Sequence, residues 1–269
     1  MQFCVGTISY RGCHPSHAMS MLRLISEASF STYLHRRGDW LVERARSIVA
    51  THFLTETTAD VLLWIDSDIV FEPKDAVEIC EQAMDYSVIG GLYMMRHAEQ
   101  VSPAARVQEP MALEGRPRPV RADWVGTGFL AAHRRVFEAL VQRDDMVPCR
   151  SADDPPFWPF YYPMMPERDG SRLWLGEDVS FCHRAREAGF EVYVNPAIQV
   201  THMGGREYRV ADMVPGRVVA TAKRVIPHVS PDGRTTFRLD LRPLPTPDRA
   251  AELADAYVDL EAPVGAGAI

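Results

Sequence analysis

Two aspartates one residue apart, Asp66 and Asp68, follow the apolar run "VLLWI" at residues 61–65. A strand built for burial that ends this way sets like charges close together, and a divalent cation is the usual remedy. In an open parallel sheet, ligands bind beyond the carboxyl ends of the strands, which is where this pair falls. Alternation along a strand puts residues i and i+2 on one side, so both carboxylates are expected to face one ligand. A D-x-D pair also arises by chance, and two aspartates shaping the turn before Pro73 are the competing reading.

Three further groups carry chemistry. In "GED", Gly176 permits close approach, and Glu177 with Asp178 sits at a helix N-terminus, where the dipole favours an ionised carboxylate able to take a proton from a hydroxyl. A plain N-cap role for Asp178 is the alternative. His202 follows the strand "AIQV" and precedes Gly204-Gly205, so its imidazole projects at a strand end with little backbone in its way, although a lone histidine is usually structural. The proline-rich segment 151–171 holds Trp158, Phe160, Tyr161 and Tyr162, which read either as a satellite core or as flat rings for stacking. Cys13, His14 and His17 supply three zinc-ligand types, but no partner motif completes the set.

The elements that must hold these groups are legible from periodicity. "FCVGTIS" is a buried first strand; a helix pattern runs from Ala18 to Glu27, followed by a strand in "ASFSTYL". Asp39 suits the N-cap of a helix in "WLVERARSIVATHFL". "DVLLWI" is apolar on both faces, which favours the centre of a parallel sheet. Pro73 opens another helix, "YSVIGGLYM" is a strand, and "ADWVGTGFLAAHRRVFEAL" reads as a strand flowing into a helix. Residues 100–122 are a loop or an edge hairpin. A helix over Asp178–Ala188 and the strand "FEVYVN" complete an alternating order that predicts a doubly wound sheet.

Composition bounds the rest. The chain of 269 residues is 46% apolar and 24% charged, with a net charge of −7. That charge argues against whole-surface binding to nucleic acid. Five widely spaced cysteines without a C-x-x-C pair predict reduced thiols in a cytoplasmic protein. The N-terminus lacks a basic n-region, and no apolar run reaches the ~20 residues that span a bilayer, so no transmembrane segment is expected. From Thr201 to Pro243, eight basic residues face four acidic ones, a local excess that would suit an anionic ligand.

The stretch "RARSIVATHFLTETTADVLLWIDSDIVFEP" resembles the segment of GT-A-fold nucleotide-sugar glycosyltransferases, family 2 among them, in which an Arg-Asn pair opens a helix leading to a buried strand that ends in D-x-D. "IGGLYMMR", "GTGFLAAHRRVFEAL" and "GEDVSFCHRAREAGFEVYVNPAIQVTHMG" follow in the order such enzymes use, with the flavour of small bacterial and phage members. The likeness covers residues 3 to 205. It departs at Ser47, where the family often has Asn, and in lacking an acidic residue for the nucleobase after the second strand.

The resemblance implies a GT-A catalytic domain over 1–205 with an α/β, doubly wound, mostly parallel sheet. Beyond it are expected a small C-terminal β extension over 206–243, a candidate acceptor region, and an acidic, loosely held tail over 244–269. It implies transfer of a sugar from a nucleotide diphosphate-sugar to an acceptor hydroxyl, with inversion. Mn²⁺ or Mg²⁺ would sit among Asp66, Asp68 and His202, with Thr7, Arg46, Ser67, Gly91 and Gly128 along the donor. Asp178, with Glu177 beside it, would be the base. Trp158, Tyr161 and Tyr162 would meet the acceptor, whether a glycan, a lipid-linked glycan or a modified DNA base. Nucleotidyl transfer and a non-catalytic nucleotide-sugar or glycan-binding module are the rival readings. The first expects a Gly-rich loop with Arg or Lys after strand one, to which "GTISYRGCHPSH" is a poor match.

Overall fold

The computed structural model describes residues 2–10, 12–28, 30, 32–96, 102–113, 115, 117–151, 154–204, 207–210, 223–229 and 235–241. The chain opens with β1 (Phe3–Ser9) and α1 (Pro15–Glu27). This helix starts a turn before the expected Ala18, because Pro15 fits the first turn and the His14 ring accepts from the Ser16 N–H. β2 (Thr32–Arg37) lies a few residues beyond the predicted strand, and its alternating exposure is that of an edge. α2 (Val42–Glu56) then leads to β3 (Val61–Ile65), every residue of which is buried.

A two-residue strand, β4 (Ile69–Val70), precedes α3 (Pro73–Tyr86) and β5 (Val88–Leu92). The region expected to be a loop or hairpin contributes β6 (Ala105–Val107), paired with β7 (Val120–Val125). What reads as one strand in "ADWVGTGFLAAH" is two: Gly126-Thr127-Gly128 separates β7 from β8 (Phe129–His133), which runs into α4 (Arg134–Leu140). The hairpin β9 (Glu167–Arg168) and β10 (Ser171–Arg172) turns through Asp169 and Gly170, both at positive φ. It leads to α5 (Glu177–Glu187), β11 (Val192–Gln199), β12 (Thr201–Met203) and β13 (Glu207–Tyr208).

Eight strands form one sheet in the order β2-β1-β3-β8-β5-β11-β7-β6. β1 is parallel to β2 and β3, and β5 is parallel to β11. β8 runs antiparallel between β3 and β5, and β7 antiparallel between β11 and β6. Most strands thus share one direction. The expectation that β3 has parallel neighbours on both sides is corrected on one side, where β8 returns from the glycine turn to fill the gap between β3 and β5.

Alternate residues of β3 feed two cores. Leu62 and Trp64 pack with Phe53 of α2, Phe137 of α4 and Phe181 of α5, whereas Val61, Leu63 and Ile65 pack with Leu24 of α1 and Ile79 of α3. Arg134, the first residue of α4, crosses back to the end of α2 and donates to the carbonyls of Phe53, Leu54 and Thr57. These are acceptors that the last helical turn leaves open.

By its contacts the chain divides into Met1–Arg217 and Val218–Ile269. In the second unit, β14 (Lys223–Val229) and β15 (Thr235–Leu241) form an antiparallel hairpin. Arg206, Arg217, Arg234 and Arg242 of the basic segment, and the whole of the tail 244–269, lie outside the described residues. No helix among the described residues is long and apolar enough to cross a membrane.

Candidate functional site

β3 ends at Ile65, and Asp66-Ser67-Asp68 forms a turn whose closing bond runs from the Ile69 N–H to the Asp66 carbonyl at 3.0 Å. The strand alternation expected to aim both carboxylates at one ligand therefore does not extend to them, and each aspartate has its own partners. Arg46 of α2 donates through one nitrogen to both Asp66 oxygens, at 2.8 and 3.0 Å. Its guanidinium is buried, lies 5.3 Å from the Trp64 ring, and has no hydrogen-bond partner at its other two nitrogens. Burial opposes the charge, but Asp66 and Glu177 outweigh it and raise the Arg46 pKa.

Asp68 has other partners. One of its oxygens is 3.6 Å from His202 Nε2 and the other is 2.9 Å from Arg96 Nη1. Burial works against its ionisation, yet His202 and Arg96 together hold the carboxyl below its ordinary value. The short β4 strand explains how His202 arrives: it pairs antiparallel with β12, setting His202 opposite Ile69, and the Met203 N–H donates to the Asp68 carbonyl at 2.8 Å. His202 Nδ1 is 2.9 Å from the Met94 carbonyl. A carbonyl only accepts, so Nδ1 donates to it, and Nε2 is the ring nitrogen left on the Asp68 side.

One carboxylate and one such imidazole fit a Mn²⁺ or Mg²⁺ ion that takes its remaining ligands from water and phosphate oxygens. Among the described residues no group of three His, Cys, Asp or Glu could hold a metal. The expected trio is thus divided, with Asp68 and His202 together and Asp66 engaged by Arg46. The zinc set also comes apart: Cys13 is exposed, His14 caps α1, and His17 is buried with Nδ1 3.0 Å from the Ile69 carbonyl.

Glu177 and Asp178 occupy the first turn of α5, whose N-cap is Gly176. Asp178 is therefore not the N-cap; its Oδ1 accepts from the Val179 N–H at 2.8 Å. Burial and, next, the Glu177 charge push the Asp178 pKa up to about 6, against the pull of that N–H and of Arg46. Tyr93 joins this group to the D-x-D turn. Its phenol takes the Gly128 N–H at 3.0 Å, its ring meets His202 edge-on at 5.4 Å, and burial with the charges of Asp66 and Asp178 raises its pKa, so it stays protonated.

The remaining expected donor residues have partners of their own in the fold. A Cβ on Gly128 would come within 2.7 Å of the Tyr93 hydroxyl and 3.4 Å of an Asp66 oxygen, so this glycine does border the site. Gly91 makes room for Phe129 and Ile198 within the sheet. Thr7 is buried in β1, and Ser67 gives its carbonyl to the His14 N–H at 2.8 Å.

Tyr161 is fully buried, takes the Trp64 indole N–H at 2.6 Å and stacks on Phe181. It is core, as is the ring of Phe160, whereas Trp158 is partly buried against that core and Tyr162 is half-buried. Ser47, standing where the resembled family often has Asn, accepts from the Tyr161 N–H at 3.1 Å and anchors this aromatic segment to α2. Sequence reading passed over Tyr93 and Arg96. Both stand inside the quoted "IGGLYMMR", but nothing in their spacing marks them as neighbours of Asp66 and Asp68.

No family model and no curated protein sequence matches the chain. Among solved structures it is similar to A197 from STIV, at 17% identity over 89% of this chain and 95% of that one, with a TM-score of 0.48. It is also similar to GalNAc-T7 with UDP, GalNAc and Mn²⁺, at 12% identity over 76% of this chain and 44% of that one, TM-score 0.48. UDP-glucose pyrophosphorylase complexed with UDP-glucose is a third, at 10% identity over 77% and 92%, TM-score 0.41.

Proposed function

We propose that the protein is a nucleotide-sugar-dependent glycosyltransferase that passes a sugar to an acceptor hydroxyl with inversion. The observation that carries this reading is the turn that presents Asp68 beside His202, with Asp178 at the start of α5 near enough to Tyr93 and Arg46 for their charges to interact. Asp68 and His202 would hold Mn²⁺ or Mg²⁺, which when bound neutralises charge on the departing diphosphate. Arg46 fixes Asp66 at the turn and leaves that carboxylate facing the donor sugar or ribose. Asp178 takes the acceptor's proton as its oxygen attacks the anomeric carbon. A pKa near 6 suits that step, because the group is ionised at neutral pH and still basic enough to gain the proton.

A panel of nucleotide-sugars with Mn²⁺ and a hydroxyl acceptor tests the reading. Release of nucleoside diphosphate is expected, with the product anomer read by NMR. Pyrophosphate release would assign nucleotidyl transfer instead, and donor binding without turnover a binding module. Asp68→Ala and His202→Ala are each expected to abolish Mn²⁺-dependent donor binding while the circular-dichroism spectrum is kept. Retention of Mn²⁺ affinity in both would refute the shared site.

A further inference from the structure

Asp68 already has a cation. Arg96 Nη1 lies 2.9 Å from one of its oxygens and 3.4 Å from the Met203 carbonyl, so the arginine bridges the D-x-D turn and β12. The sequence makes room for this: a Cβ on Gly204 would stand 2.8 Å from Arg96 Cδ. Arg96 is also two residues from Met94, whose carbonyl orients His202. Both partners of Asp68 thus depend on one short segment after β5. The Arg96 side chain is 48% exposed, against 26% for Asp68, so the guanidinium meets the carboxylate from the more solvent-exposed side.

Resting on the glycosyltransferase reading above, we propose that Arg96 is the resident counter-ion of Asp68, held on the oxygen away from His202, that a divalent cation bound on the His202 side repels it, and that it then turns onto the diphosphate of the donor. A carboxylate already paired with an arginine binds a dication less well than a bare one, because its charge is shared between two cations and these repel each other. A diphosphate relieves both costs by offering the displaced guanidinium a bidentate anion. Metal and diphosphate would therefore strengthen each other's binding, with Arg96 carrying the coupling.

The test uses the full chain, Mn²⁺ alone and inorganic pyrophosphate. In wild type, Arg96→Ala and Arg96→Gln, free Mn²⁺ is titrated by electron paramagnetic resonance, and pyrophosphate binding to the Mn²⁺-loaded protein by calorimetry. Circular dichroism establishes that each variant is folded. Both variants are expected to bind Mn²⁺ about tenfold tighter than wild type and pyrophosphate about tenfold more weakly. These opposite signs are the signature, since an arginine that merely braced the turn would weaken both when removed. Unchanged or weaker Mn²⁺ binding in the two variants overturns the counter-ion role, and unchanged pyrophosphate binding overturns the second role. Asp68→Asn tells this failure from that of the underlying reading. If Mn²⁺ binding is lost in Asp68→Asn but unmoved in the Arg96 variants, only Arg96 is wrong; if wild type binds no Mn²⁺, the metal site falls with it.

Discussion

The reactivity of Asp178 is set by its surroundings more than by its identity. Its carboxyl is lifted from the ordinary 3.8 to about 6, first by burial and then by Glu177. Between those two values the folded chain holds a proton that the unfolded chain has released, so stability falls as pH rises through the window and the cost is fully present at pH 7. Asparagine keeps the shape and an oxygen for the Val179 N–H but has no charge to desolvate. Asp178→Asn is therefore expected to retain or raise the melting temperature at pH 7.5 while turnover drops by about 10²–10⁴-fold. In the wild type, kcat/KM should climb with pH through an inflection at about 6. A stability loss with turnover preserved would make Asp178 a structural residue of the first turn of α5.

At the scale of elements, the glycine turn between β7 and β8 and the Tyr93 ring beyond β5 fit only as a pair. A Cβ on Gly126 would stand 2.2 Å from the Tyr93 hydroxyl and 3.0 Å from Cζ, so alanine there must push the ring or the turn. Gly126→Ala is expected to cost about 1–3 kcal/mol in chemical denaturation. Part should return in a Tyr93→Phe background, where the nearer clash is gone; strictly additive losses would show that ring and turn are not coupled. This pairing illustrates what the sequence hides. The strong local patterns were legible: the apolar run of β3, Pro73 opening α3, the amphipathic α2, and "GED" opening α5. So was the meeting of Asp68 with His202, through resemblance. Contacts made across long separations carry no local signal. β4 is too short to show a strand pattern, yet its pairing with β12 brings His202 to the turn. Arg46 reaches Asp66 from another element, and the aromatics at Phe160 and Tyr161 are indistinguishable in sequence from exposed ones until Ser47, Trp64 and Phe181 are seen to enclose them.

For the whole molecule, every residue assigned to donor, metal or base falls within Met1–Arg217, whereas five of the eight basic residues between Thr201 and Pro243, namely Lys223, Arg224, Arg234, Arg238 and Arg242, fall in Val218–Ile269. Among the described residues, both cores of the large sheet are built from positions between Phe3 and Val210. With that apolar burial, the first unit is expected to fold by itself. A chain ending at Arg217 is expected to unfold in one cooperative transition, with a midpoint close to that of the corresponding transition in the full chain, and to bind Mn²⁺ with unchanged affinity. Acceptor use is where the two chains should part. If the basic residues of the second unit serve an anionic acceptor, acceptor KM in the full chain rises steeply with salt, because each phosphate contact releases counterions that salt returns. The shortened chain should then show a higher acceptor KM and a flatter salt slope, with donor KM little changed. Equal slopes in the two chains would remove the second unit from acceptor binding, and a salt-independent KM in both would point to a neutral carbohydrate.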